Sequence, residues 1–381
     1  MKIISFFALL LAIITFTVSC SKEIDDPNPD ENESIIPQKF RIDIPDAISY
    51  STKSGLEGDK INGGDLYKML GTFIAVGESA AKFVEDVILV IRLYDINKAM
   101  SFTYLSKEDQ RTKEVVVEEN VMYNNKTYEF SLTMTDIAYK DSADKGMALQ
   151  VFWNTGMVEG IAIIKPYNID VDSTDTTDIK LMYMVEYSEI GQDGYDAQMT
   201  VSISGHTLKY SEKYGIDNLK MWVGKKGNEI DIRGNSNHPN AFLVDSTETG
   251  FSWAFVASAD ASKNIAVAEL GLPSSISNIT TRAEILDTCS VRNVLEKAVK
   301  SWWIIENPNI TVDWTKPDNK AILDGYLQES NPPAYFSNIG FVKSETAPNN
   351  SYEQIQTNIE SLVPFNPSQI NQLQLSFKLI Q

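Results

Sequence analysis

The chain has few of the side chains that bind transition metals or form covalent cross-links. Its 381 residues include two histidines, His206 and His238, and two cysteines, Cys20 and Cys289. Two imidazoles are too few for a zinc or iron centre that depends on histidine ligands. Two cysteines allow at most one disulfide bond. We therefore expect no metal centre, no cofactor and no disulfide framework.

Positive charge is also scarce. Lysine and arginine number 33 against 52 aspartate and glutamate residues, which gives a formal net charge of -19. A surface of this sign repels phosphate backbones and anionic lipid headgroups, and the sequence has no polybasic segment. Nucleic acid is therefore not an expected partner.

The main hydrophobic run is too short for a membrane-spanning helix. Residues 3–18 are almost wholly apolar, but these sixteen residues fall below the roughly 20 that a spanning helix needs. Lys2 precedes the run, and the small residue Ser19 closes it directly before Cys20. A positive start, an apolar middle and a small residue at the cleavage site are typical of a secretory signal peptide.

The residues that end at Cys20 resemble the lipobox of bacterial lipoproteins. Thr17-Val18-Ser19-Cys20 matches the lipobox at its last three positions, and the family usually has leucine where this chain has Thr17. The resemblance implies that residues 1–19 are removed as a signal peptide and that Cys20 is acylated, for example with palmitate. It also implies an outer-membrane protein whose partner is the lipid bilayer. A cleaved signal without lipid is the alternative.

The segment behind Cys20 extends this resemblance. Ser21–Asp26 is similar to the acidic export signal of surface lipoproteins of Bacteroidota, although Ile24 interrupts the acidic run. The similarity implies exposure on the cell surface. If Cys20 carries lipid, Cys289 has no disulfide partner. Each buried methylene adds about 0.8 kcal/mol, so two or more acyl chains give stable residence in a bilayer.

Composition divides the rest of the chain into a tether and a folded body. Residues 20–39 are acidic and polar and contain three prolines, so they cannot bury enough surface to fold, and we expect a flexible tether. A hydrophobic content of 43%, with 16 Tyr, 16 Phe and 6 Trp, suffices for a core. We predict a domain over residues 40–304 and a loop-rich C-terminal segment, residues 305–381, packed on the same domain.

Hydrophobic periodicity predicts one long helix followed by a large sheet. Between residues 65 and about 94, apolar residues recur every three or four positions. From residue 100 to residue 272 the period is two, with Asn- and Gly-containing turns between the alternating segments. We predict an α+β fold in which a curved antiparallel sheet of about ten or more strands packs on the helix. The alternative is a helix that ends near Glu85 and is followed by a buried strand.

Shorter patterns predict the remaining elements. The capping-box spacing of Thr281 and Glu284 predicts a second helix near residues 282–304. Alternation predicts a short strand at Phe40–Ile44 and a final strand at Leu373–Leu379. A short helix is expected near residues 352–362.

The most polar cluster of the strand region is Gly234–Asn240, which we interpret as a structured loop. Its candidate ligand contacts are Asn235, Ser236, Asn237 and His238, because amides, a hydroxyl and an imidazole together suit a hydrogen-bonding rim. A serine two residues from its histidine on one local segment is poor geometry for a catalytic triad. We therefore assign no catalytic residue.

Tryptophans are candidates for stacking on a sugar or lining an apolar cavity, although core packing is their commoner role. The adjacent pair Trp302 and Trp303 is the further candidate for ligand contact. The others are Trp153, Trp222, Trp253 and Trp314.

An acidic loop near residue 170 has oxygen ligands at alternate positions. An EF-hand is excluded because Ser173 replaces the glycine at the sixth position and Ile179 replaces the glutamate at the twelfth. A weak calcium site at Asp170, Asp172 and Asp175 is the alternative to a solvated acidic loop.

Four Asp-Ser or Asp-Thr sequences resemble the O-glycosylation pattern of Bacteroidota, in which a small or apolar residue follows the hydroxyl residue. The acceptors that the pattern implies are Ser142, Ser173, Thr176 and Ser246.

Three functions follow as hypotheses. The first is a non-catalytic, membrane-anchored binding module for a glycan or another envelope or extracellular ligand. The second is a carrier of an acyl-type ligand in a cavity between sheet and helix, lined by residues such as Phe73, Val84 and Ile88. The third is a hydrolase that uses two carboxylates.

Overall fold

Thirteen antiparallel strands form one sheet in which every strand pairs with its neighbours in the chain. The structure is a computed structural model, and it describes residues 35–37, 39–50, 61–92, 96, 98–106, 109–155, 158–169, 179–206, 214–244 and 250–378. The strands are β1 (Met100–Leu105), β2 (Thr112–Tyr123), β3 (Lys126–Asp136), β4 (Met147–Asn154), β5 (Glu159–Ile164), β6 (Met182–Ser188), β7 (Ala197–Ser204), β8 (Asn218–Lys226), β9 (Glu229–His238), β10 (Phe251–Asp260), β11 (Ile265–Gly271), β12 (Ala334–Ser337) and β13 (Gly340–Ser344). β1 and β13 are its edges, so the sheet is open. The predicted α+β class and antiparallel sheet are confirmed.

The helices lie before the sheet and around its later strands. They are α1 (Asp46–Ser49), α2 (Gly63–Arg92), α3 (Pro166–Ile169), α4 (Val291–Glu306), α5 (Pro317–Tyr326), α6 (Glu353–Asn358) and α7 (Pro367–Asn371). A π-helical turn spans Ala283–Thr288, and 3-10 turns span Ile137–Tyr139, Gln192–Gly194, Asn350–Tyr352 and Ile359–Ser361. Within the described ranges, no helix combines the length and the apolar character that crossing a membrane requires.

Tight turns join the strands where the sequence places Asn and Gly. Asn124 and Asn125 connect β2 to β3 with φ angles of 48° and 62°, and Gly227 connects β8 to β9 with a φ of 58°. These left-handed conformations match the right-handed twist of the flanking strands. The meander therefore follows from local turn chemistry.

The long helix α2 covers one face of the sheet, which we call the inner face. Its start is capped reciprocally, because the Asp65 amide donates to Asn62 Oδ1 at 3.1 Å and the Asn62 amide donates to Asp65 Oδ2 at 3.2 Å. Its apolar stripe packs into the main core, where Ile74 and Val84 are fully buried. The helix continues to Arg92, so the alternative of a strand after Glu85 is wrong.

The opposite face, which we call the outer face, carries two separate apolar clusters. One joins Ala254 and Val256 of β10 to Ile355 of α6. The other joins Phe152 and Ile163, on β4 and β5, to residues near the C-terminus. Between the clusters, β6, β7 and β8 present polar side chains. The inner face of the sheet is thus buried in the main core, whereas its outer face is only partly covered.

The predicted second helix is present but divided. The π-helical turn ends at Thr288, and α4 begins only at Val291, with the Ser290 hydroxyl accepting from the Asn293 amide. Between them, the Cys289 carbonyl accepts from the Leu272 amide at 2.7 Å. The chain breaks the helix there because its backbone extends the hydrogen bonding of β11.

Two predicted strands are absent, and two observed strands were not predicted. The segment Phe40–Ile44 is extended but unpaired, because the Phe40 and Ile44 amides donate to Glu85 and Glu78 of α2 at 2.9 and 3.2 Å. Residues 373–378 form no strand and bind the sheet through side chains. In their place β12 and β13 complete the sheet. The short helix expected near residues 352–362 is confirmed by α6 and its flanking 3-10 turns.

Candidate functional site

A strip of polar and aromatic side chains crosses the middle of the outer face. The strand register places Glu186 of β6 opposite Thr200 of β7, Thr200 opposite Trp222 of β8, and Trp222 opposite Arg233 of β9. All four are half-buried. The name central strip is used below for Glu159, Glu186, Gln198, Thr200, Lys220, Trp222 and Arg233.

Two adjoining depressions open on the central strip. The smaller, about 180 Å³, is lined by Glu186, Gln198 and Trp222 together with Tyr128. The larger, about 400 Å³, lies beside the end of the β2–β3 hairpin. Glu159 lines both, so they form one continuous shallow surface. Both are open to solvent, which suits an extended polar ligand better than an enclosed apolar one.

Trp222 is held in a fixed orientation on this surface. Its Nε1 donates to Gln198 Oε1 at 3.2 Å, and the Tyr195 ring meets it edge-on with centroids 5.1 Å apart. The Arg233 guanidinium lies 5.2 Å from the Trp222 ring centroid. A Cβ on Gly224 would lie 2.4 Å from the Trp222 ring, so glycine is what allows the indole to lie along β8. The result is an indole held in one orientation, half-buried and with the Arg233 guanidinium over its ring.

Glu186 is the chemically open group of the strip. Burial raises the pKa of its carboxyl, and the nearby Lys220 ammonium lowers it in part. No hydrogen-bond donor for its oxygens is found among the described residues, whereas Glu159 is ion-paired to Lys126. Burial, with the carboxylates of Glu159 and Glu186, also raises the pKa of Tyr128 to about 12. Glu186 therefore offers a desolvated acceptor towards the depression.

Most of the polar cluster Gly234–Asn240 is strand and not the expected loop, because β9 continues to His238 and only Pro239 and Asn240 form a turn. Asn235, Ser236, Asn237 and His238 lie in β9, and each is 0% exposed. A ligand from solvent therefore has no access to these side chains in this conformation. The amide nitrogens of Asn235 and Asn237 donate to the C-terminal segment, and His238 bonds to the Tyr214 carbonyl and to Ser236.

The two asparagines bind the chain's own C-terminal segment. Residues 363–378, which we call the C-terminal strap, cross the outer face beside the central strip. Asn235 Nδ2 donates to the Phe365 carbonyl at 3.1 Å, and Asn237 Nδ2 donates to Asn371 Oδ1 at 3.0 Å. Asn218 Nδ2 donates to the Ile370 carbonyl at 3.0 Å.

The far end of the strap is held in the same manner. Gln150 forms two bonds to Lys378, accepting from its amide at 2.8 Å and donating to its carbonyl at 3.1 Å. Ser204 Oγ accepts from the Leu375 amide at 3.1 Å. Phe377 packs on the apolar cluster around Phe152. The strap thus lies on the outer face without joining the sheet. It touches the central strip at Phe365, whose ring centroid lies 5.0 Å from Lys220 Nζ and 5.3 Å from the Arg233 guanidinium carbon.

Ser236 and His238 form a buried pair that faces the inner core. The Tyr214 carbonyl can only accept, so His238 Nδ1, at 3.0 Å, carries the proton. His238 Nε2 then accepts from the Ser236 hydroxyl at 2.7 Å. Burial lowers the pKa of His238 to about 3, and the ring packs between Phe73 and Trp253. Without access for a substrate, this pair serves packing.

The tryptophans divide into core and surface residues. Trp153 and Trp253 are 1% and 0% exposed and belong to the inner core. Trp302 and Trp303 are half-buried in the last turn of α4, with ring centroids 6.0 Å apart. They lie on another element than the central strip, so the structure does not bring them together with Trp222.

Ser142, a proposed glycosylation acceptor, has an engaged hydroxyl. Its Oγ donates to the Tyr139 carbonyl or to Asp144 Oδ1, at 2.7 and 2.6 Å, and accepts from the Gly146 amide. The other predicted acceptors, Ser173, Thr176 and Ser246, lie outside the described residues, as do Cys20 and the predicted calcium ligands Asp170, Asp172 and Asp175.

The described residues contain no group of three or more His, Cys, Asp or Glu side chains placed to bind a metal ion. Comparison with protein-family models, with curated proteins and with solved structures gave no match.

Sequence reasoning missed most of the central strip. Trp222 was one of six equivalent tryptophans, and Glu186 was one of 52 acidic residues. The available signal was that two successive predicted strands, β7 and β8, carry polar or aromatic residues at alternate positions, namely Gln198, Thr200 and Ser202, and Lys220 and Trp222. Only the strand register shows that these residues lie side by side.

Proposed function

We propose that this protein is a lipid-anchored envelope protein whose central strip binds a saccharide without catalysis. The observation that carries the proposal is the half-buried Glu186 carboxylate, which faces a depression beside the fixed indole of Trp222. Sugar hydroxyls donate to carboxylates, and the apolar face of a pyranose ring packs on an aromatic ring. The central strip provides both a carboxylate acceptor, Glu186, and an aromatic ring, Trp222.

The charge balance of the strip supports a neutral or weakly charged ligand. Glu159 and Glu186 are offset by Lys220 and Arg233, although the whole chain carries a net charge of -19. A strongly anionic ligand would be repelled by the two glutamates, and a strongly cationic ligand by the two basic residues. A polyhydroxylated ligand satisfies both signs, because hydroxyls donate to carboxylates and accept from ammonium and guanidinium groups.

Two observations bear on the alternatives. Glu159 and Glu186 line the same depression, which favours a carboxylate hydrolase as the second candidate. The carrier hypothesis needs space between α2 and the inner face, where the Phe73 and Trp253 rings lie with centroids 5.0 Å apart. No observation among the described residues favours a carrier.

The experiment measures retardation of the purified protein in native gels that contain one of a panel of soluble neutral and acidic polysaccharides. We expect retardation by at least one polysaccharide, and about tenfold weaker binding for Trp222→Ala and Glu186→Gln, since a lost stacking or charged contact costs about 1–3 kcal/mol. Trp302→Ala and Glu118→Gln are the matched controls and should bind as wild type.

Failure of every polysaccharide to retard the wild-type protein would contradict the proposal, as would equal loss of binding in the control variants. Thermal unfolding of each variant shows whether it is folded. New reducing ends released from a retarding polysaccharide, and lost in Glu186→Gln, would favour the hydrolase instead.

A further inference from the structure

Three strongly exposed isoleucines cluster at the end of α4. Ile304 and Ile305 in its last turn are 60% and 61% exposed, and Ile310 just beyond the helix is 60% exposed. The half-buried Trp303 directly precedes Ile304 in the sequence. Exposed apolar clusters of this kind mark interaction surfaces in folded proteins. The name isoleucine tip is used below for Trp303, Ile304, Ile305 and Ile310.

Aromatic packing holds the base of the isoleucine tip. The Trp303 ring meets those of Trp302 and Trp314 with centroids 6.0 and 6.1 Å away, both edge-on. The Trp303 indole nitrogen is buried and has no hydrogen-bond partner among the described residues. Tryptophan with isoleucine beside it is the composition that proteins place at the boundary between lipid headgroups and acyl chains.

The surroundings of the tip are electrically neutral in an acidic protein. Residues 291–326, which span α4 and α5, contain five basic and five acidic side chains, although the chain as a whole carries a net charge of -19: Arg292, Lys297, Lys300, Lys316 and Lys320 against Glu296, Glu306, Asp313, Asp318 and Asp324. Most of the molecule is therefore repelled from anionic headgroups, and this region is not.

The predicted anchor keeps a bilayer within reach. Cys20 precedes the first described residue, Ile35, by fifteen residues, and a fully extended chain of that length spans about 50 Å. A body held this close meets the membrane continually, so a weak apolar contact suffices to orient it. This step rests on the lipid anchor of the proposed function.

We propose that the isoleucine tip inserts into the headgroup–acyl boundary of the bilayer that holds the anchor. Insertion buries the three isoleucines and fixes which side of the body faces the membrane. An amphipathic element at this depth is buried by about 5–10 Å. The C-terminal end of α4 inserts part of the way into the bilayer and does not span it.

The test uses the full-length acylated protein, purified from membranes and reconstituted in phosphatidylethanolamine–phosphatidylglycerol vesicles with bromine at a shallow or a deep acyl position. We expect shallow bromine to quench part of the tryptophan emission more than deep bromine does. The triple variant Ile304→Ser, Ile305→Ser, Ile310→Ser should lose this quenching. The control, Ile276→Ser with Ile339→Ser, removes two other isoleucines, 74% and 69% exposed, and should keep it.

The two proposals fail in different ways. Vesicle-bound protein without bromine quenching overturns the insertion and leaves the anchor intact. If the protein does not sediment with the vesicles, the anchor is overturned. Insertion of the isoleucine tip is then tested by mixing the same protein with brominated vesicles at high lipid concentration. Quenching supports insertion, and its absence overturns insertion. Equal quenching of the triple variant and wild type overturns insertion. Insertion is also overturned if the tip is found to associate protein molecules with one another and not to be quenched.

Discussion

At the residue scale, His238 couples stability to pH. Its imidazole is buried and neutral because burial lowers its pKa from 6.5 to about 3. Below pH 6.5 the unfolded chain binds a proton that the native state does not. The free energy of unfolding therefore falls as the pH falls, by up to about 1.4 kcal/mol per pH unit between 6.5 and 3.

We predict that His238→Gln abolishes this part of the pH dependence. At pH 7 the variant should be less stable than wild type, because both hydrogen bonds of the imidazole are altered. Between pH 6.5 and 5 the stability difference should shrink by about 2 kcal/mol. Urea unfolding at several pH values measures it. Ser236→Ala is the control, since it removes the hydroxyl and keeps the titrating ring. If the free energy of unfolding depends on pH in the same way in His238→Gln and wild type, His238 is not the source of the pH dependence.

Other buried polar residues show why the candidate site was hard to find from sequence. Asn235 is buried because its partner, the Phe365 carbonyl, lies 130 residues further along the chain. Lys113 is fully buried because Asp109, Asp136 and the Asn168 carbonyl surround its ammonium at 2.7 to 3.0 Å. Local composition reports that a side chain is polar, but burial depends on distant partners.

At the element scale, two glycines of α2 share a helix but meet different neighbours. A Cβ at Gly71 would lie 2.8 Å from the Tyr50 carbonyl oxygen, which is backbone. A Cβ at Gly77 would lie 2.7 Å from the Met221 terminal methyl, which ends a flexible side chain. Backbone cannot yield cheaply, whereas methionine adopts other rotamers.

We therefore predict opposite tolerance for the same substitution. Gly71→Ala should destabilise the protein by about 1–3 kcal/mol through overpacking, even after the gain in helix propensity. Gly77→Ala should stay within about 1 kcal/mol of wild type, because the propensity gain of up to about 1 kcal/mol offsets the shift of Met221. Chemical denaturation of both variants decides. Equal destabilisation would show that the Met221 side chain yields no more readily than the Tyr50 backbone.

The same scale shows which elements the sequence could predict. The helix α2 and the strands β1 to β11 were largely predictable because apolar residues recur at one period along them. The exception is the second half of β9, Gly234–His238, which is polar and was predicted as a loop. The strand β12 has only four residues and pairs with β11 over three, too few for alternation to be recognised. The end of the strap was predicted as a strand because Leu373, Leu375 and Phe377 alternate with polar residues. The Leu375 and Lys378 amides, however, donate to the side chains of Ser204 and Gln150.

At the scale of the whole molecule, the C-terminal strap closes the fold. It covers the apolar cluster around Phe152 without adding a strand, and Phe377 is 8% exposed there. The strap is bound by separate hydrogen bonds from side chains of the sheet, and not by a continuous row of backbone hydrogen bonds. Such a segment opens at a lower free energy than the sheet beneath it.

We predict that a stop codon after Gln372 leaves a folded but weaker protein. Loss of Phe377 and of the two Gln150 bonds should cost about 2–5 kcal/mol and expose the cluster beneath. Thermal unfolding measures the first effect, and binding of a hydrophobic dye measures the second. A stop after Lys378 keeps every described strap contact and should behave as wild type. An unchanged melting temperature in the shorter chain would show that the strap is dispensable.

The meander also fixes the order in which the protein can be assembled. Each hairpin finds its neighbour in the stretch of chain synthesised immediately before it, so the sheet can lengthen from β1 one strand at a time. The helix α2 precedes them all, and its main strand contacts are with β6, β7, β8 and β13. Among the described residues the C-terminal strap follows all thirteen strands, so it can bind the outer face only after the sheet beneath it has been synthesised.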